Sequence, residues 1–377
     1  MPGLYIHIPF CAHKCTYCDF VSFVCDERVQ KSYVDCLLTE SRLAAEKYAD
    51  RCIETVFVGG GTPSILKCGE VKRIMDCVFS EFKVLSNAEI TIECNPGTLD
   101  QKKLEEYRKS GINRLSMGLQ SANDSVLRRI SRIHTLKDFM LSLKYARLIG
   151  FENINADIMY GLPSQSLDDV KETLACVCDL KIPHISAYSL IVEENTPLYD
   201  SLAKGELCLP DEDLAYDMHR LVIDTLKSAG YNRYEISNYS KPGMECKHNL
   251  CYWDAGEYIG LGINAHSAMY IDGVFTRYNN TCDLSEYEKS VLSGKLPSEN
   301  EEQITGYEAM AEYVMLGLRK TSGFLLSDFR KRFSKDFTDV FGDRLAHINP
   351  EFYTLNSSLS LTDKGLDLQN IILCELI

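Results

Sequence analysis

Six short runs of β-branched and aromatic residues alternate with longer amphipathic runs through the first half of the chain, and this alternation restricts the fold more than any other feature. The strand candidates are Leu4–Ile8, Ile53–Val58, Glu89–Cys94, Arg114–Gly118, Ile154–Met159 and His184–Leu190. Helical patterns at Val29–Tyr48, Glu70–Phe82, Asp100–Ser110, Asp124–Ile130, Leu136–Leu148 and Leu167–Leu180 fill the intervals. Strands separated by helices pair in parallel through right-handed crossovers, with chemistry at their carboxyl ends. About six units fit before residue 195, two short of a closed barrel. The expected architecture is therefore α/β, a partial (β/α)6 TIM-like barrel open on one side. A doubly wound sheet competes with it, because periodicity does not separate the two.

Beyond the barrel, a helical pattern spans Pro210–Gly230, an irregular aromatic-rich stretch spans Tyr231–Tyr278, and the polar Ser293–Asn300 reads as a linker. A helix then opens with a capping box, Thr305 to Glu308, and carries Met310, Val314 and Leu318 on one face. Phe352–Leu355 and Ser358–Leu361 flank Asn356-Ser357 as a hairpin before a last helix. This divides the chain into residues 1–292, a barrel with an extension, and residues 301–377, a small α+β, winged-helix-like domain. A winged helix often binds DNA, but residues 301–377 carry 8 basic and 12 acidic side chains, and the whole chain has 40 against 54. That balance argues against nucleic acid and anionic membranes as partners. No apolar stretch approaches the roughly 20 residues of a membrane span, and the first residues lack the pattern of an export signal. A cytoplasmic protein with no integral membrane segment is expected.

Cysteine usage is high, at 16 residues. Cys36, Cys52, Cys77, Cys94 and Cys176 sit singly among apolar neighbours and read as small buried hydrophobes. Cys11, Cys15 and Cys18 differ, lying together directly after the first strand in Pro9-Phe10-Cys11-Ala12-His13-Lys14-Cys15-Thr16-Tyr17-Cys18. Their spacing lets one short loop wrap a single object with three sulfurs turned inward. Structural zinc usually takes four closed ligands in two pairs, and no second pair follows at a suitable distance. An iron–sulfur cubane held by three thiolates would leave one iron open to an exchangeable ligand. Spacing alone leaves cluster, zinc and neither as alternatives.

Gly59-Gly60-Gly61-Thr62-Pro63 follows the second strand, where consecutive glycines let backbone approach a ligand closely. Glu93, Gln120 and Asp157 sit on or at the ends of later strands, and Arg132 lies beyond the Asp124–Ile130 helix. Each alone could cap a helix or pair with a neighbour. With the Cys-x3-Cys-x2-Cys loop and the aromatic Tyr17 before its last cysteine, the chain resembles the radical S-adenosylmethionine (SAM) superfamily. The resemblance implies a [4Fe–4S] cluster on Cys11, Cys15 and Cys18, whose fourth iron chelates SAM and cleaves it to a 5′-deoxyadenosyl radical. Within the superfamily the chain is similar to the oxygen-independent coproporphyrinogen III oxidase-like proteins, and nearly all of it is covered. On that pattern Tyr5, Tyr17, Gly60, Gly61, Thr62, Glu93, Gln120, Arg132 and Asp157 are SAM-binding positions, and residues 301–377 resemble the HemN-like C-terminal domain.

That family has an oxidase branch and a branch of HemW-type haem chaperones, and three features place this chain nearer the chaperones. The oxidase loop carries a further cysteine where this chain has Phe20. The oxidase has an N-terminal segment covering its site, whereas the first strand here begins within a few residues of Met1. His248-Asn249-Leu250-Cys251-Tyr252-Trp253 matches a His-Asn-x-x-Tyr-Trp segment associated with the chaperones. Histidine is a common axial haem ligand and aromatic side chains pack on porphyrin faces, so His248 is the expected haem residue. Its alternative is a histidine hydrogen-bonded in a packed aromatic cluster. His266 is a second candidate, Cys246 and Cys251 flank His248, and Asn264 stands where chaperone relatives usually have glycine. The resemblance implies haem, a haem-accepting protein such as a respiratory cytochrome, and a low-potential electron donor as partners. Coproporphyrinogen III oxidation, a radical SAM methyltransferase activity and a non-enzymatic zinc protein remain the competing functions; no catalytic side chain is assigned.

Overall fold

The computed structural model describes residues 1–377. Its first half alternates as expected: β1 (Gly3–Ile8), α1 (Glu27–Lys47), β2 (Cys52–Gly60), α2 (Glu70–Glu81), β3 (Lys83–Cys94), α3 (Gln101–Lys109), β4 (Arg114–Gln120), α4 (Asp124–Arg129), α5 (Leu136–Ile149), β5 (Asn153–Tyr160), α6 (Leu167–Asp179) and β6 (His184–Ser189). Local chemistry fixes the helix starts. Thr135 with Asp138 and Ser166 with Asp169 close reciprocal capping boxes on α5 and α6.

An extension follows with α7 (Pro197–Ala203), α8 (Glu212–Ser228), β7 (Asn232–Arg233), β8 (Asn238–Ser240), α9 (Lys247–Trp253), β9 (Tyr258–Leu261), β10 (His266–Ile271), β11 (Val274–Asn280), α10 (Leu284–Leu292) and β12 (Ser298–Gln303). One twelve-stranded sheet results, ordered β12-β11-β10-β9-β1-β2-β3-β4-β5-β6-β8-β7. Strands β1 to β6 stand side by side in chain order and in parallel, and β9 adds in parallel to the free side of β1. A doubly wound sheet reverses its strand order at a switch point. None occurs within β1 to β6, so that competitor is excluded. The end strands β12 and β7 are each paired on one side only, so the sheet does not close.

The two faces of the parallel strands differ chemically. Leu4, Ile6, Ile8, Val56, Val58, Ile90, Ile92, Leu115, Met117, Ile154 and Ala156 are all buried apolar residues of the main core, which also includes residues of the helices. Alternate positions carry Tyr5 and His7, Glu89 and Glu93, Ser116, Asn155 and Asp157, and His184 and Ser186. Because successive side chains point to opposite faces, the second set faces together into the hollow of the sheet. The lumen is polar.

The remainder comprises α11 (Gly306–Gly317), β13 (Phe324–Leu325), α12 (Leu326–Phe333), α13 (Phe337–Leu345), β14 (Tyr353–Leu355), β15 (Ser358–Leu361), α14 (Asp363–Asp367) and α15 (Gln369–Leu376). Its three strands form their own sheet, β13-β15-β14, over a second core that includes Phe329, Phe337 and Phe341.

Four sequence expectations change. The aromatic-rich stretch is not irregular, since it supplies β7 to β11 and α9. The Ser293–Asn300 linker runs into β12, which pairs with β11. Thr305 precedes α11 without a side-chain cap bond, so the capping box is absent. Of the five single cysteines, Cys36, Cys77 and Cys94 are buried, but Cys52 and Cys176 are only partly so. Every cysteine is a free thiol.

Candidate cofactor site at the strand ends

The cysteine loop leaves β1 and is closed at its base. The Cys11 N–H donates to Phe23 O at 2.9 Å and the Phe23 N–H to Pro9 O at 2.7 Å. Cys11, Cys15 and Cys18 are all half-buried. Thr62 Oγ1 lies 3.5 Å from Cys11 Sγ, and Arg132 Nη1 donates to Cys15 Sγ at 3.6 Å. The Gly61 and Thr62 N–H groups donate to Ile8 and Phe10 carbonyls, which binds the glycine turn to the cysteine loop. A side chain at Gly61 would meet Phe10 O at 2.8 Å and Cys11 Sγ at 3.1 Å, so only glycine permits this approach.

No three His, Cys, Asp or Glu side chains converge on a single ion-sized point. Tetrahedral zinc needs such convergence at about 2.3 Å from each sulfur. A cubane places each thiolate on a separate iron, so its sulfurs stand further apart. Three thiols on one loop are the soft donor set that an iron–sulfur cluster takes. Beside the thiols, Thr16 Oγ1 and Arg132 Nε are buried without a partner in the protein, leaving hydrogen-bonding capacity for a ligand.

The other expected positions gather around this loop. Gly60 takes φ +111° and donates its N–H to Glu93 Oε2 at 3.1 Å. Burial and the neighbouring Asp157 charge push the Glu93 carboxyl up to about 8, against the opposing pull of the Gly60 N–H and Arg114. Asp157 accepts from Asn155 Nδ2 at 2.8 Å and Ser116 Oγ at 3.2 Å; burial raises its pKa also. Gln120 ends β4 at φ +66° after a register shift, a strained geometry that re-aims its side chain. Arg132 spans the loop and β4, since its Nη2 donates to Gly118 O at 3.0 Å. The Tyr5 hydroxyl bonds His7 Nδ1 at 2.9 Å, and Tyr17 packs against the cluster of Val126, Ile130 and Leu162. Burial raises the pKa of both tyrosines, so both stay neutral.

Several lumen residues escaped the sequence reading. His184 bridges Asn155 Oδ1 at 2.7 Å and the Tyr234 hydroxyl at 2.8 Å. Arg114 is only 2% exposed, and its Nε has no partner. Glu89 accepts the Lys247 and His248 N–H groups at 3.3 and 3.2 Å, placing a carboxylate at the start of α9. The available signal was the polar residue at every second strand position, which becomes meaningful only once those positions are known to face a lumen.

His248 is enclosed in the structure. It is 1% exposed, with Nδ1 at 2.7 Å from Thr55 Oγ1 and Nε2 at 2.8 Å from the Tyr252 hydroxyl. Its ring stacks on Phe57 at 5.1 Å. Burial, then the Arg114 charge, holds its pKa down to about 3. A neutral ring with both nitrogens bonded and no open face cannot ligate iron without breaking this packing. The aromatic-cluster alternative describes it.

The "Radical SAM superfamily" model matches residues 5–177 and the "HemN C-terminal domain" model matches residues 304–368. "Heme chaperone HemW" of Lactococcus lactis is 35% identical, with 97% of this chain and 94% of that one covered. The Bacillus subtilis protein of the same name is 36% identical, covering 98% and 97%. The Escherichia coli one is 39% identical over 74% and 73%. Among solved structures, the Escherichia coli coproporphyrinogen III oxidase HemN, described as a radical SAM enzyme, superposes with a TM-score of 0.86 at 26% identity. It covers 100% of this chain and 90% of that one.

Proposed function

This chain belongs to the HemW family of radical SAM proteins, and we propose on that premise that it is a haem chaperone, holding haem and passing it to an acceptor protein. The observation that carries the proposal is similarity to proteins named for this activity along nearly the whole chain. Radical SAM membership implies a [4Fe–4S] cluster and SAM as cofactors. Cys11, Cys15 and Cys18 would hold the cluster, and residues 301–377 would form a domain of their own. When bound, the cluster supplies an electron to the sulfonium of SAM.

The chain's own residues would act around that centre as binders and charge carriers. Arg132 donates to the Cys15 sulfur and offsets negative charge on the loop. Glu93 presents a carboxylate, steadied by Gly60, to the ammonium of SAM, and the Gly60-Gly61-Thr62 backbone lets that ligand approach. Tyr5, Tyr17, Gln120 and Asp157 complete the wall. A low-potential electron donor would serve the cluster, and a respiratory cytochrome is the proposed acceptor. No helix is long and apolar enough to cross a membrane.

One observation favours a second reading, oxygen-independent coproporphyrinogen III oxidation: the superposition on HemN. Against it, Phe20 stands 62% exposed where the oxidase pattern has a further thiol. Reconstituted protein given coproporphyrinogen III, SAM and a reductant without oxygen separates the two readings. The chaperone reading expects no protoporphyrinogen, and expects hemin-loaded protein to transfer its haem to an apo-cytochrome. Protoporphyrinogen formation without haem transfer would replace it with the oxidase reading.

A further inference from the structure

A cavity of about 490 Å³ opens beside the cysteine loop, walled by β1, β9, β10, β11, the end of α9 and α11. The size lies within the range of small-molecule sites. Much of its wall is aromatic: Phe20, Tyr252, Trp253, Tyr258 and Phe275. The indole N–H of Trp253 is buried without an acceptor in the protein. Such a wall suits a flat, mainly apolar ring system that carries an acceptor at its edge.

The histidines identify where a metal in that ring system would bind. Eight are present. His7, His184, His219 and His248 have both ring nitrogens hydrogen-bonded. His134 bonds Leu119 O and, like His13 and His347, lies off the cavity wall. His266 is on the wall, exposed, with neither ring nitrogen bonded to the protein. The turn before it is well held. Asn264 takes φ +56°, a conformation asparagine tolerates. Glu40 anchors the same turn by accepting the Gly262 N–H at 2.8 Å.

We propose that this cavity is the haem seat and that His266 is the axial ligand of its iron. The proposal rests on the haem-chaperone reading and adds the site and ligand to it. Partial desolvation of the ring, open to solvent on its cavity side, and the nearby Arg277 charge favour the neutral imidazole, whose lone pair is the one iron accepts. Arg277 itself is held by Glu312 at 2.8 Å and Asp19 adds a second carboxylate, so the wall offers no free cationic clamp for the propionates. Retention then depends on one iron–nitrogen bond and apolar contact, a grip suited to release.

The test titrates hemin and metal-free protoporphyrin IX into wild type, His266→Ala and Leu316→Trp, followed in the Soret region. His266→Ala should weaken hemin by about tenfold or more, lose the histidine-ligated Soret band and regain it with added imidazole, while protoporphyrin IX binding stays within about twofold. Leu316→Trp, which fills the cavity, should weaken both porphyrins by roughly tenfold. Unchanged hemin binding in His266→Ala, or an equal loss of both porphyrins, would overturn the ligand; an unaffected Leu316→Trp would overturn the location. Failure of the wild type to bind hemin at all would instead remove the chaperone reading.

Discussion

The Gly60 N–H donates to Glu93 Oε2 at 3.1 Å, a bond from the end of β2 to the end of β3. It fixes a carboxylate beside the cysteine loop, in a lumen that also holds Asp157. Burial first, and the neighbouring Asp157 charge second, keep Glu93 largely protonated near neutral pH.

That arrangement gives the unliganded protein a pH signature. An acid whose pKa is raised on folding binds more protons folded than unfolded. Its stability contribution is therefore intact below 4.5, the ordinary value, and is lost as pH rises through about 8. Thermal melts of Glu93→Gln should fall less steeply across this window than those of wild type. SAM brings positive charge and favours the ionised carboxylate, so its binding near pH 7 should expel a proton, measurable by calorimetry in buffers of different ionisation heat. Glu93→Gln should abolish that release and weaken SAM by roughly tenfold.

The cysteines separate by position. Cys11→Ser, Cys15→Ser or Cys18→Ser should each reduce bound iron after anaerobic reconstitution from about four per chain to about one or less. Cys36→Ala removes a buried thiol packed in the main core and should leave iron content unchanged. Iron and acid-labile sulfide assays check both.

His248 is expected to matter for stability and not for haem. His248→Ala leaves Thr55 and Tyr252 without their partner and empties the space against Phe57, a loss of about 2–4 kcal/mol in urea unfolding. Hemin affinity of the folded variant should stay within about threefold of wild type. The His248 pKa is depressed on folding, so its contribution is present above 6.5 and lost as pH falls toward about 3. The variant should lack that part of the acid sensitivity.

The barrel was legible because β1 to β6 are short apolar runs separated by amphipathic helices, and local patterning decides such elements. The cysteine loop was legible because its three thiols lie close in sequence. The lumen was not. On β1, Leu4, Ile6 and Ile8 pack in the main core, so Tyr5 and His7 resemble a solvent face until the sheet curls around them. The enclosure of His248 was not legible because its constraints are remote: Thr55 and Phe57 lie far away in the chain, and no local pattern announces that they seal the ring. The β7–β8 pair escaped notice because strands of two and three residues carry no periodicity.

The central claim is that three thiolates hold a cubane and leave one iron open to SAM at the mouth of this lumen. Electron paramagnetic resonance of the reduced, reconstituted protein, recorded with and without SAM, tests it most directly. SAM should shift the spectrum of a [4Fe–4S]+ cluster, and Glu93→Gln should require more SAM for the same shift. A spectrum that SAM leaves unchanged at saturating concentration would contradict the open site.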